Sequence, residues 1–165
     1  MTIEPNDAER GLLLIVSSTS QTNPEKASEI WEKAALKGED FSTPEVGKLW
    51  ELIGGFVRQG QAVDLLALEA RAKSLKDFDR VNIGKLTAEY LMGVSPSRHI
   101  APEYVKIATE ASLRRRSMKV LREVAESVKD AKMAVSDVLS HGLDAWQALT
   151  QRVQSLGTSE NLMLR

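Results

Sequence analysis

Apolar residues recur along almost the whole chain at the three-and-four spacing of amphipathic helices, so nearly every segment reads as helix. Ala8, Leu12, Leu13, Ile15 and Val16 cover most of the circumference of a first helix, which places it at the centre of a core. Asn6, with Glu9 three positions on, has the form of a capping box that opens it. The polar run Ser17 to Asn23 reads as a loop, and Asn23-Pro24 sets a good N-cap before a proline at the first helical position. In the second helix Ala27, Ile30, Trp31, Ala34 and Ala35 line one face, and Gly38 supplies a C-terminal stop. Thr43-Pro44 repeats the start signal for a third helix that carries Val46, Leu49, Trp50, Ile53, Phe56 and Val57 and closes at Gly60. Its internal Gly54-Gly55 costs on the order of 1 kcal/mol per residue relative to alanine, so the pair marks either close packing or a weakened turn. Val63-Asp64 begins a fourth helix through Leu65, Leu66, Leu68 and Ala72. Leu86, Tyr90 and Leu91 suggest a short fifth one ending near Gly93.

Beyond Ser95-Pro96-Ser97 the pattern lengthens. Tyr104, Ile107, Ala111, Met118, Leu121, Ala125 and Val128 keep a seam-like spacing, with Arg114 where an apolar residue is due. After a break near Asp130, Val135, Leu139, Gly142, Trp146, Leu149, Val153 and Leu156 make a second stripe of similar length. Two matched helices joined by a short turn predict an antiparallel hairpin. The expected fold class is therefore all-α, a compact helical head over residues 5–94 followed by a long hairpin over residues 95–156. Residues 157–165 read as a flexible tail or the start of a linker. One hairpin buries little of its own apolar surface, so the remainder needs the head or another subunit to cover it. The residues expected at such an oligomer interface are Tyr104, Ile107, Ala111, Met118, Leu121, Leu139, Trp146 and Leu149.

Composition narrows the chemistry. A content of 42% hydrophobic and 27% charged residues argues against disorder throughout, and 165 residues suit one domain with at most a small appendage. A net charge of -1 gives no overall attraction to nucleic acid or anionic lipid. The absence of cysteine excludes disulfides, thiolate metal sites and cysteine nucleophiles and fits a cytoplasmic location. The apolar run Leu12 to Val16 is too short for a signal or membrane segment.

Glycine-rich phosphate loops are missing: Gly55 to Gly60 has the spacing, but Gln61-Ala62 stands where Lys-Ser/Thr is required. His99 and His141 are isolated and read as surface residues, with no metal site, no catalytic residue and no cofactor expected. The acidic neighbours Glu39-Asp40, Asp77-Asp79 and Glu123-Glu126 read as solvated charged faces rather than acid-base pairs. Trp31 and Trp50 are core candidates, whereas Trp146 suits either internal packing or a partner-facing anchor. Between Arg98 and Lys132 nine basic residues stand against five acidic ones. Within that stretch Arg114, Arg115, Arg116, Lys119 and Arg122 are the candidate partner or nucleic-acid contacts, with a solvated or ion-paired helix face and pairing across a subunit interface as the other readings.

The order of several short motifs adds a family. Asn6 to Leu14, Phe41-Ser42, Gly60-Gln61-Ala62-Val63-Asp64-Leu65, Tyr90-Leu91, Pro96-Ser97, Tyr104 and Leu113-Arg114-Arg115 together resemble the N-terminal domain of the DnaB family of replicative DNA helicases, over roughly Pro5 to Val153. Two departures stand out: Asn82-Ile83-Gly84 replaces a paired-glycine turn, and Gly54-Gly55 falls where a better helix former is usual. The resemblance implies a bundle-like head and a helical hairpin, packed as dimers that assemble three at a time into a collar. That collar implies docking of primase or a helicase loader, with ATP and magnesium left to a motor domain outside these residues, and with nucleic-acid contact weak or indirect. Two rival functions remain open. One is a standalone adaptor, loader or inhibitor of phage or plasmid type that binds a host replicative helicase; the other is a weak single-strand-binding module built on the basic helix.

Overall fold

The computed structural model describes residues 2–76 and 82–163, with side chains to residue 155. Its helices are α1 Pro5–Thr22, α2 Pro24–Ala34, α3 Pro44–Arg58, α4 Leu65–Ser74, α5 Ile83–Tyr90, α6 Ala101–Lys129 and α7 Val135–Met163. No strand occurs among the described residues, so the fold is all-α. Short 3-10 turns at Gly38–Asp40 and Arg98–Ile100 join α2 to α3 and α5 to α6.

The head is built around α1, buried on nearly every side from Ala8 to Val16. Leu12, Leu13 and Ile15 meet Leu49, Trp50 and Ile53 of α3, Ala27 and Ile30 of α2, and Leu68 of α4 in one core. Each aliphatic side chain withdrawn from water there contributes about 1.5–3 kcal/mol. The core also takes Ala101, Val105 and Ala108 from the first turns of α6. Tyr104 lies over Gly11, where a Cβ would overlap its ring. The Ser95-Pro96-Ser97 turn therefore precedes a helix that begins inside the head and then leaves it.

Several helix limits differ from those expected. α1 starts at Pro5 with Glu4 as N-cap and no side-chain cap, because Glu9 is fully buried and bonds to Ser42 instead of turning back to Asn6. The run Ser17 to Thr22 is helical rather than a loop. Its polar side chains are satisfied within the fold: Ser20 Oγ donates to Ser17 O and accepts from Val63 N, and Gln21 Nε2 donates to Val63 O. α2 ends at Ala34, with Ala35 itself in the left-handed region (φ 52°), so Gly38 is not its stop. Thr43 caps α3 as expected, its Oγ1 accepting from Val46 N. Asp64 and Asn82 do the same for α4 and α5. The helix α7 runs on to Met163, through most of the stretch read as a tail. The expectation for Asp77-Asp79 lies outside the described residues.

Gly54 and Gly55 have different reasons. A Cβ on Gly54 would overlap the Trp31 indole, so that glycine lets α2 close on α3; around Gly55 there is open space. Trp31 stacks on Trp50 at 5.8 Å between ring centroids, and their indole N–H groups donate to Trp50 O and Leu36 O. Both rings thus serve the head, as expected.

Candidate interaction surface

The long helices α6 and α7 pack side by side. Pairs brought together move apart in sequence in equal steps: Lys129 and Val135 flank the turn, a Cβ on Gly142 would come within 2.8 Å of Val124, and Arg116 and Arg152 reach one carboxylate. That order is antiparallel. Each helix carries two adjacent apolar strips, about one residue or 100° apart around the axis. The inner strip holds Val120 and Val124 on α6 and Val138, Gly142, Ala145 and Leu149 on α7, all buried or half-buried. The outer strip holds Met118, Leu121 and Val128 on α6 and Leu139, Leu143, Trp146 and Val153 on α7. Each of those seven is 46–58% exposed.

The expected interface residues therefore separate. Met118, Leu121, Leu139 and Trp146 lie on the open outer strip. Leu149 is on the inner strip, and Ile107 and Ala111 are half-buried on α6 near the head. Tyr104 packs against the core of its own chain.

The basic run separates too. Arg116 Nη2 lies 2.7 Å from Asp40 Oδ1 and 3.0 Å from Glu39 Oε1. Arg115 Nη2 donates to Asp40 O at 2.6 Å and stands 3.5 Å from the fully buried Glu9. Of the five candidates for nucleic-acid contact, these two are thus engaged within the head. Arg114, Lys119 and Arg122 are exposed, with Lys119 3.8 Å from Glu123.

Where α6 and α7 meet the head sits a polar cluster around Asp40, a residue that the sequence reading placed on a solvated face. Asp40 is only 3% exposed. Its Oδ1 accepts from Ser112 Oγ at 2.8 Å and from Arg116, while Oδ2 accepts from Lys37 N at 2.8 Å and from Arg152 Nη2 at 2.8 Å. Arg152 Nη2 also donates to Ala35 O, at 2.9 Å. Beside it, Glu9 accepts Ser42 N at 2.9 Å and Ser42 Oγ at 2.7 Å. One side chain on a three-residue turn thus gathers α6 and α7, and Arg152, bonded to it, reaches the end of α2. Buried charge is tolerated here because each carboxylate has a cation and several donors around it. No periodicity announces such a cluster. The nearest sequence signal, the capping-box form of Asn6 and Glu9, pointed to a different use of Glu9.

Among the described residues no group of histidine, aspartate and glutamate side chains is arranged to hold a metal ion. His99 and His141 are both exposed. No helix among the described residues is long and apolar enough to cross a membrane. The head also carries an open cleft of about 1130 Å³ between α3 and α4, with Phe41, Leu52, Phe56, Ala67, Ala70 and Leu75 among its walls and Gly55 on its floor.

Comparison with curated proteins gives no match. Comparison with protein families gives one: the model of the DnaB-like helicase N-terminal domain matches residues 5–110. The matched stretch takes in the head and the first turns of α6 as they leave it, the part in which a single apolar core holds the elements together. With well over half of its length under that match, the chain belongs to the family of DnaB-like helicase N-terminal domains.

Proposed function

We propose that this chain acts as a non-catalytic assembly and docking domain of a replicative DNA helicase, working in the cytoplasm as part of the collar that organises the helicase ring. The observation that carries the reading is the outer apolar strip: Met118, Leu121 and Val128 beside Leu139, Leu143, Trp146 and Val153, left open to water after α6 and α7 have packed together. A contiguous run of large side chains in that state favours association, because covering it removes apolar area from water at about 25 cal/mol per Å². The partner in this reading is first a second copy of the chain, in dimers or a trimer of dimers. Trp146 is its central anchor, since a large half-exposed aromatic among aliphatics is the usual centre of an interface. Arg114 and Arg122, exposed beside the strip on α6, set register more than affinity. Primase or a helicase loader is the second partner, received on the assembled collar, with ATP hydrolysis and its magnesium assigned to a motor domain outside these residues.

Light scattering over a concentration series tests the assembly. The parent chain is expected as a dimer or larger species, and Trp146→Ala and Met118→Glu are expected to dissociate it with helicity by circular dichroism unchanged. A parent mass that stays monomeric at every concentration would overturn self-assembly as the role of this surface.

A further inference from the structure

The attachment of α7 to the rest of the chain is uneven along its length. Near its start Val138 is fully buried and Gly142 sits tightly against Val124. Towards its far half the outward residues Trp146 and Val153 are open, and Arg152 bonds to the head, at Asp40 Oδ2 and at Ala35 O. α6 differs, since Ala101, Val105 and Ala108 fix it in the core.

The socket that receives Arg152 does not depend on it. Asp40 is held by Lys37 N–H, Ser112 Oγ and Arg116 with Arg152 absent from the count, and Arg116, which it shares with the exposed Glu39, still pairs its charge. Ala35 O is held in place by the left-handed turn that ends α2. If Arg152 withdraws, its side chain, already 20% exposed, moves into water, and the buried carboxylate keeps a cation. Neither of the usual penalties for breaking a buried pair, an unpaired buried charge or a collapsed site, applies in full. Such a contact opens without unfolding its surroundings.

We propose that Arg152 and the Asp40–Ala35 socket form a latch, by which residues 146–153 of α7 dock on the head and undock from it while the head and α6 stay folded. Undocked, residues 146–153 keep their contacts along α6, and a helix segment of that length is marginal in water without tertiary support. Its amides then exchange with solvent.

Hydrogen exchange read by mass spectrometry on the whole chain, with parent and variants compared at the same mass by light scattering, tests the latch. Arg152→Ala is expected to speed exchange across residues 147–154 about tenfold or more, the effect of losing a charged hydrogen bond. Exchange in α1, α3 and the first half of α6 should remain at the parent rate. Arg152→Lys should restore part of the protection, because one nitrogen, Nη2, makes both contacts and an ammonium has donors for both, though on a shorter side chain without the planar fork. Asp40→Asn removes the socket's charge and risks loosening the head, so the arginine variants carry the decision. Unchanged exchange over 147–154 in Arg152→Ala would overturn the latch, as would a matching rise throughout α1 and α3.

Discussion

Gly54 and Gly55 are chemically identical neighbours on one helix, and the environment gives them opposite sensitivities. A methyl on Gly54 would overlap the Trp31 indole, which cannot retreat because it stacks on Trp50. Gly54→Ala is expected to destabilise the chain by about 1–3 kcal/mol, the usual cost of overpacking. Gly55 faces open space on the cleft floor, so Gly55→Ala is expected to stabilise by about 0.5–1 kcal/mol through the lost backbone freedom of glycine. Urea midpoints measured on the two variants should move in opposite directions. Glu29 carries a second prediction at this scale. Its hydrogen bonds to Lys26, and then to Lys33, hold its carboxyl down at about 2 from an ordinary 4.5. A depressed carboxylate stabilises the fold above its unfolded pKa, and that contribution is lost as pH falls from about 4.5 through about 2. Carbon-detected NMR titration should find the Glu29 midpoint raised in Lys26→Ala, and an unmoved midpoint would remove that account. The pairing of Glu29 was open to reading from its spacing, but the sign of the Gly54 effect was not, because Trp31 reaches it from another helix.

Among the elements, start signals were read better than stops. Asn23, Thr43 and Asp64 each cap the helix they precede, since a cap is a contact between residues three apart and needs nothing from elsewhere. Thr43→Ala should cost about 1 kcal/mol, while Asn6→Ala should stay within about 0.5 kcal/mol, because α1 opens without a side-chain cap. Thermal melts of the pair decide where the caps act. The run Ser17 to Thr22 shows the reverse case. Its composition is that of a loop, yet it stays helical because Val63, bonded by Ser20 and Gln21, supplies a long-range partner that no local rule contains. The doubled strips of α6 and α7 belong here as well. Spacing gives the presence of apolar positions, but choosing between strips one residue apart requires knowing which side meets the neighbouring helix.

At the scale of the whole molecule, Asp40 is the point where α6 and α7 meet the turn that follows α2. Removing it leaves Arg152 without its carboxylate and Arg116 with the exposed Glu39, so Asp40→Ala is expected to lose about 3–5 kcal/mol in urea unfolding. The loss from Arg152→Ala should be much smaller, because Arg116 remains on the carboxylate. Equal losses would show that the two cations do not share the site. Sequence by itself determined the all-helical class, the central position of the first helix, the core tryptophans and the family, because these rest on local periodicity and on motif order along one chain. Tertiary structure alone decided that Arg115 and Arg116 are spent inside the head, that Tyr104 covers Gly11, and that Met118 and Trp146 are left open. The reason is physical: a charge or an aromatic ring carries the same label in solvent, in an ion pair or at an interface, and only the residues packed against it, distant in sequence, select among them.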